Sequence, residues 1–313
     1  MTGVSLPVTL GHEFVGTITE VGVNVQDLKI GQRVAVNPIC GHRHYGLELC
    51  NPCKEERYNL CDNRASYGVA ASGGGFCEES VVNAMNCIPI PPNVSMKAAA
   101  LIEPLAVAHH AITESGFREG QTVLICGAGP IGLAVLSILR VLGASKIIVT
   151  EVLETRLEQA RKFGADVVIN PLSLATSSAD NTATEPVLAV IRQLTGDGVD
   201  VAFDATGLQS TLDLAIASVK PQGMIFNIAI HKKPLQIHLN SLTMKEKSMK
   251  GGICYVLKDF EAVMALLKEG ILDAESMVTA VVPLSDAIKG GFEELVNNAA
   301  MHVKILIQPD QRT

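Results

Sequence analysis

Several groups of residues in this chain have the types and spacing to do chemistry. Gly127, Gly129 and Gly132 stand in G-x-G-x-x-G spacing, and a carboxylate, Glu151, follows nineteen residues after the last of them. In such a loop the first glycine permits a tight turn, the second admits a pyrophosphate, and the third lets helix and strand pack closely. The helix that follows offers unpaired N–H groups to the phosphates. Cys50 and Cys53 have C-x₂-C spacing, Cys61 follows, and Cys40 precedes them. Four thiolates in one polar loop suit a closed structural zinc site, with a redox pair plus two incidental thiols as the plainer alternative. His42 and His44 are alternative ligands if Cys40 cannot reach. His12 and Glu13, after Gly11, are residue types that bind metals, although a His-Glu pair in a loop is commonly just a solvated tip. Glu103 is a carboxylate in an apolar run, which is costly unless it is paired or binds a metal.

The glycine motif carries weight because of the elements around it. Thr122–Cys126 is rich in β-formers, Ile131–Leu142 is an apolar run long enough for a helix, and Lys146–Thr150 reads as a second buried strand ending at Glu151. Further strands are expected at 166–169, 199–204, 223–229 and 249–254, alternating with helices at 154–163, 186–195 and 210–219. That alternation implies a doubly wound parallel sheet, with its ligand at the carboxyl ends of the strands, near Gly127, Glu151 and Thr206. The expected dinucleotide contacts are Gly127, Gly129, Pro130, Ile131, Gly132, Glu151, Arg156 and Thr206. Glu151 would bind the ribose hydroxyls and repel a 2′-phosphate, so NAD is expected over NADP.

Before this unit, residues 8–36 show short alternating runs that suggest β-hairpins of a small barrel, and β-like patterning returns over 66–90. Residues 95–116 read as helix, with Pro104 kinking or restarting it, and His109 and His110 as ordinary core or surface histidines. Helices at 259–269 and 285–297 and strands at 278–282 and 302–308 follow, the strands rejoining the first domain. The polar stretch 173–184 reads as a surface loop. Cys77, Cys87, Cys126 and Cys254 stand singly and read as small apolar residues.

Composition narrows the function classes. The 313 residues are 48% apolar and 18% charged, which allows about two domains with ample core. A net charge of −7 argues against a nucleic-acid partner. No apolar run is long enough for a convincing membrane span, and the first residues lack the features of a signal peptide. The cysteines are therefore expected as thiols or metal ligands in a cytoplasmic protein.

With these pieces in hand, the chain resembles the zinc-dependent medium-chain dehydrogenases, most of all their polyol branch of butanediol and sorbitol dehydrogenases. The resemblance rests on GHEFVGTITEVG, the Cys50/Cys53/Cys61 loop, IEPLAVAHHAI, VLICGAGPIGL, FDATG, ICYVLKDF and HVKILIQP, in order across nearly the whole chain. It implies an α/β fold: a Rossmann sheet plus a GroES-like β-barrel catalytic domain. The expected boundaries are 1–97 for the catalytic domain, 98–254 for the NAD-binding domain and 255–313 for the return to the catalytic domain. It also implies hydride transfer between NAD and a secondary alcohol or vicinal diol, and a homodimer or homotetramer. A catalytic zinc is implied at His12, Glu13 and Glu103, and a structural zinc at Cys40, Cys50, Cys53 and Cys61. The family carries a segment before its GHE motif that contains a further cysteine ligand, whereas here Met1 lies eleven residues before His12. The expectation is thus an N-terminally truncated catalytic domain. The family's first structural cysteine would fall near Leu47, so Cys40 is the candidate across an insertion. The competing reading is an NAD-binding pseudoenzyme or truncated isoform without turnover. A zinc-free quinone reductase is disfavoured by His12, Glu13 and the cysteine loop.

Overall fold

The computed structural model describes residues 8–174 and 184–310, which form two compact units: one ends at Ala106 and resumes at Cys254, and the other runs from Val107 to Ile253. In the first unit, β1 (Phe14–Thr17), β2 (Arg33–Val36) and β5 (Cys87–Pro89) make an antiparallel sheet in the order β1-β2-β5, while β3 (Ile39–Cys40) pairs with β4 (Ala65–Ser66). Between Ser66 and Ile90 the chain is mostly bends, turns and irregular backbone, and β5 is the one strand in that stretch among the described residues. The loop from Cys40 to β4 is held by short turns, including the helix Asn51–Lys54 and a 3₁₀ turn at Tyr58–Leu60.

The second unit is built on a six-stranded parallel sheet. Its strands are β6 (Thr122–Cys126), β7 (Lys146–Thr150), β8 (Val167–Ile169), β9 (Val199–Asp204), β10 (Val219–Asn227) and β11 (Ser248–Gly251), in the order β8-β7-β6-β9-β10-β11. Strand order reverses at β6 and β9, the switch point at which such sheets bind ligands. The helices Pro130–Val141, Glu154–Lys162 and Gln209–Ser218 pack on these strands. Central strands buried on both faces carry unbroken apolar runs, which is why Val123, Leu124, Ile125, Ile147 and Ile148 are fully buried. The strand expected at 249–254 ends at Gly251, and Cys254 instead adopts a left-handed conformation with φ of 53°.

The chain then returns to the first unit through the helix Leu257–Glu269 and the parallel pair β12 (Val278–Pro283) and β13 (Lys304–Gln308). The helix expected at 285–297 is three short pieces: a 3₁₀ turn, a π-helical stretch Ala287–Glu293, and one α turn. The adjacent Gly290 and Gly291 weaken the regular α pattern there. The surface loop expected at 173–184 lies largely outside the described residues, and its first two residues close the short helix Pro171–Leu174. Among the described residues, no helix is long and apolar enough to cross a membrane.

Candidate metal centres and dinucleotide site

His12 and Glu13 are presented by the turn that enters β1. Gly11 has φ of +92°, a conformation open to glycine, and a Cβ there would meet the Phe76 ring at 3.0 Å. The turn is pinned by Gly75 N–H donating to Gly11 O (2.8 Å) and Phe76 N–H to Leu10 O (2.9 Å). Glu103 comes from the first turn of the helix Ile102–Ser115. One ligand atom from each of His12, Glu13 and Glu103 lies within 4.8 Å of the others, close enough for a single ion.

The two carboxylates of this cluster differ. Glu13 is partly exposed and is paired with the Lys304 ammonium from β13. Glu103 is buried, and its pKa is pushed up from 4.5 to about 8, first by burial and then by the neighbouring Glu13 charge. The helix N-terminus favours the carboxylate form by about 0.3–1 kcal/mol, too little to offset that burial. A buried carboxyl beside a second carboxylate and an imidazole is a donor set that a divalent cation would complete, so the residues fit a metal.

In the cysteine loop the structure brings together His42, Cys50, Cys53 and Cys61, again with one ligand atom from each within 4.8 Å of the others. Cys40, the expected fourth member, is elsewhere. Its strand directs it into a small core with Val36 and Tyr67, where its thiol donates to Pro38 O at 3.7 Å. Two residues later the chain has left the strand for a 3₁₀ turn, which carries His42 to the thiols. His42 Nδ1 accepts Cys50 N–H at 3.0 Å, and Nε2 lies 2.9 Å from the Asn63 amide. His44 stays apart, accepting Gly41 N–H and meeting Asn86 Oδ1 at 2.7 Å. Burial beside the other two thiols pushes Cys53 up to about 12, while a backbone hydrogen bond at Asp62 lowers Cys50. Three crowded thiols with an imidazole are the donor set of a closed zinc site.

In the second unit the glycine loop follows β6. Gly127 has φ of +100°, and a Cβ on Gly132 would stand 2.0 Å from Gly127 O, so helix and loop touch backbone to backbone. A Cβ on Gly129 would meet nothing closer than Arg156 Nη1 at 4.0 Å, which leaves open the side on which a pyrophosphate would approach. No side chain caps the helix that Pro130 begins. The Glu151 side chain, only 8% exposed, accepts Ala128 N–H at Oε2 (3.1 Å) and Val152 and Leu153 N–H at Oε1 (2.7 and 3.2 Å). Its carboxylate is thereby tied to the glycine loop, with Arg156 Nη1 3.8 Å away. On the other flank, buried Asp204 Oδ1 accepts Thr206 N–H (3.0 Å), Thr206 Oγ1 (2.9 Å) and Thr211 Oγ1 (3.1 Å), which fixes the turn after β9. The cradle fits a dinucleotide.

The sequence alone marks no role for Lys304, Asp204 or Tyr255, a buried tyrosine facing Glu103. All three lie in or beside segments that carry the family resemblance: HVKILIQP, FDATG and ICYVLKDF. Of the two alternative ligands that the sequence offers, His42 and His44, the structure brings only His42 to the thiols.

Fold and donor sets together define a dinucleotide-dependent dehydrogenase with metal centres. The chain matches the zinc-binding dehydrogenase family over residues 130–269 and the alcohol dehydrogenase GroES-like domain over residues 1–92. It is 34% identical to the (R,R)-butanediol dehydrogenase of Saccharomyces cerevisiae, covering 99% of this chain and 82% of that one. The crystal structure of 2R,3R-butanediol dehydrogenase from Bacillus subtilis superimposes with a TM-score of 0.86 at 36% identity, covering 97% of this chain and 81% of that one. An Escherichia coli alcohol dehydrogenase complexed with NADH gives a TM-score of 0.85 at 29% identity, covering 97% and 85%. This chain belongs to the zinc-binding medium-chain dehydrogenases.

Proposed function

We propose that the protein is a zinc-dependent oxidoreductase that moves a hydride between NAD and a secondary alcohol or vicinal diol of the butanediol/acetoin type. The observation that carries this reading is the convergence of His12, Glu13 and Glu103 within 4.8 Å. The identity to butanediol dehydrogenases over nearly the full chain supports the substrate class. When bound, the metal supplies Lewis acidity to the substrate and NAD⁺ accepts the hydride, so that alcohol and NAD⁺ give ketone, NADH and a proton.

In this reading His12 offers an imidazole nitrogen and Glu13 and Glu103 offer oxygens. Lys304 balances Glu13, and Glu103, neutral while the site is free of metal, would have to give up its proton to serve as a ligand. Gly127, Gly129, Pro130, Ile131 and Gly132 cradle the pyrophosphate, Glu151 with Arg156 meets the adenosine ribose, and Thr206 flanks the cofactor. His42, Cys50, Cys53 and Cys61 would hold a structural zinc. The protein acts in the cytoplasm as a homodimer or homotetramer, as its thiol chemistry and family support.

One observation favours a second reading, an NAD-binding protein without turnover: the Lys304 ammonium already gives Glu13 a countercharge. Zinc content per chain, measured together with NAD reduction on 2,3-butanediol, separates the two. Two zincs with turnover are expected. One zinc, bound NAD and no turnover would favour the second reading.

A further inference from the structure

The hydroxyl of Tyr255 is an unexplained polar group in the core of the first unit. Tyr255 is 1% exposed, among the largest fully buried side chains of the protein, and its hydroxyl meets no partner in strict hydrogen-bond geometry among the described residues. A buried tyrosine hydroxyl ordinarily finds one, and a phenylalanine would fill the same space without leaving a polar atom unsatisfied. The groups that face the hydroxyl are the carboxyls of Glu103 and Glu13 and the Cys254 thiol. The hydroxyl lies close enough to the Glu103 carboxyl to act on its charge as a weak, imperfectly aligned hydrogen bond, short of strict geometry.

The side chain is held in this place from both sides. Its ring packs against Phe260 with centroids 4.9 Å apart and planes tilted by 56°. Cys254, just before it, sits at φ of 53°, and its Sγ accepts from Arg64 Nη1 at 3.7 Å. Asp259 Oδ2 accepts Val256 N–H at 2.9 Å, anchoring the residue just after it. Left-handed backbone at a non-glycine residue persists where the surroundings over-determine it, and such positions gather at functional sites. Glu13 is paired directly with Lys304, whereas Glu103 feels the Lys304 charge only at a distance and makes no ion pair among the described residues.

We propose that Tyr255 is a positioning residue for the metal: its hydroxyl donates to one oxygen of the Glu103 carboxylate and leaves the other for the ion. The inference rests on the metal-binding role given to Glu103 above. Partners of this kind behind a ligand set its orientation, and their loss weakens metal binding by about 10–100-fold.

The test is Tyr255→Phe in the full chain, which keeps the ring and its contact with Phe260. The thiolate site is first filled with one equivalent of zinc, and the protein is then titrated with cobalt(II). A metal affinity lower by about 10–100-fold and an altered cobalt d–d spectrum are expected, with the melting temperature before cobalt addition unchanged or raised. Unchanged affinity and spectrum would overturn the proposal. So would an affinity loss matched by a lower melting temperature before cobalt addition, which is ordinary core damage. Glu103→Ala tests the underlying reading separately: if it leaves cobalt binding intact, Glu103 is no ligand and the reading itself fails.

Discussion

Glu103→Gln probes the energetics of the His12–Glu13–Glu103 cluster most directly. In the chain without metal, the Glu103 carboxyl titrates at about 8 when folded, against an ordinary 4.5. A raised folded pKa means that the stabilising proton is present at low pH and is lost as pH climbs. Between these values the folded chain holds a proton that the unfolded chain has released. Stability therefore falls by about 1.4 kcal/mol per pH unit, or roughly 3 kcal/mol between pH 4.5 and pH 7. Glutamine is neutral throughout and nearly isosteric, so the variant lacks this decline. The assay is urea unfolding of parent and variant across this range, with the cluster free of metal. The stability difference should widen in favour of the variant by about 1.4 kcal/mol per pH unit between about pH 5 and pH 7. Parallel pH profiles would refute the reasoning. In the parent, the metal must displace the same proton, so its affinity should climb about tenfold per pH unit below pH 8. The glutamine variant should lose that ion.

Two further outcomes follow from the other sites. His42→Ala and Cys53→Ser should each lose one zinc per chain and destabilise the fold by several kcal/mol, whereas Cys40→Ser should leave the metal content unchanged; metal analysis and melting temperatures decide it. Glu151→Ser should weaken NAD binding and raise NADP binding, because the carboxylate that repels a 2′-phosphate is gone. Equal binding of both cofactors by the unmutated chain, in a fluorescence titration, would count against that role of Glu151.

The second unit was legible because its signals are local. Val199–Asp204 emerged as a strand at the expected residues, and β6, the glycine loop, its helix and β7 followed the expected order. Apolar runs, glycines and strand length act through backbone conformation and nearest neighbours, and a parallel sheet needs little more to set its order. The weaker readings fell where local signals compete. The strand expected through Cys254 stopped at Gly251, and the helix expected over 285–297 broke around Gly290 and Gly291.

The sequence by itself determined which residues could do chemistry: the glycine loop with Glu151, the thiols of Cys50, Cys53 and Cys61, and the His12–Glu13 pair with Glu103. Tertiary structure decided which of them meet. Cys40 and His42 are two positions apart, yet a strand sends one into a core and a turn sends the other to the thiols. Spacing along the chain cannot distinguish them, because side-chain direction depends on where the strand ends. Lys304 reaches Glu13 across 291 positions, and Tyr255 faces the Glu103 carboxyl although the two are far apart along the chain. No local pattern encodes such pairs, since they form only when the packing of the whole unit brings distant segments together and the loss of water makes their charges felt.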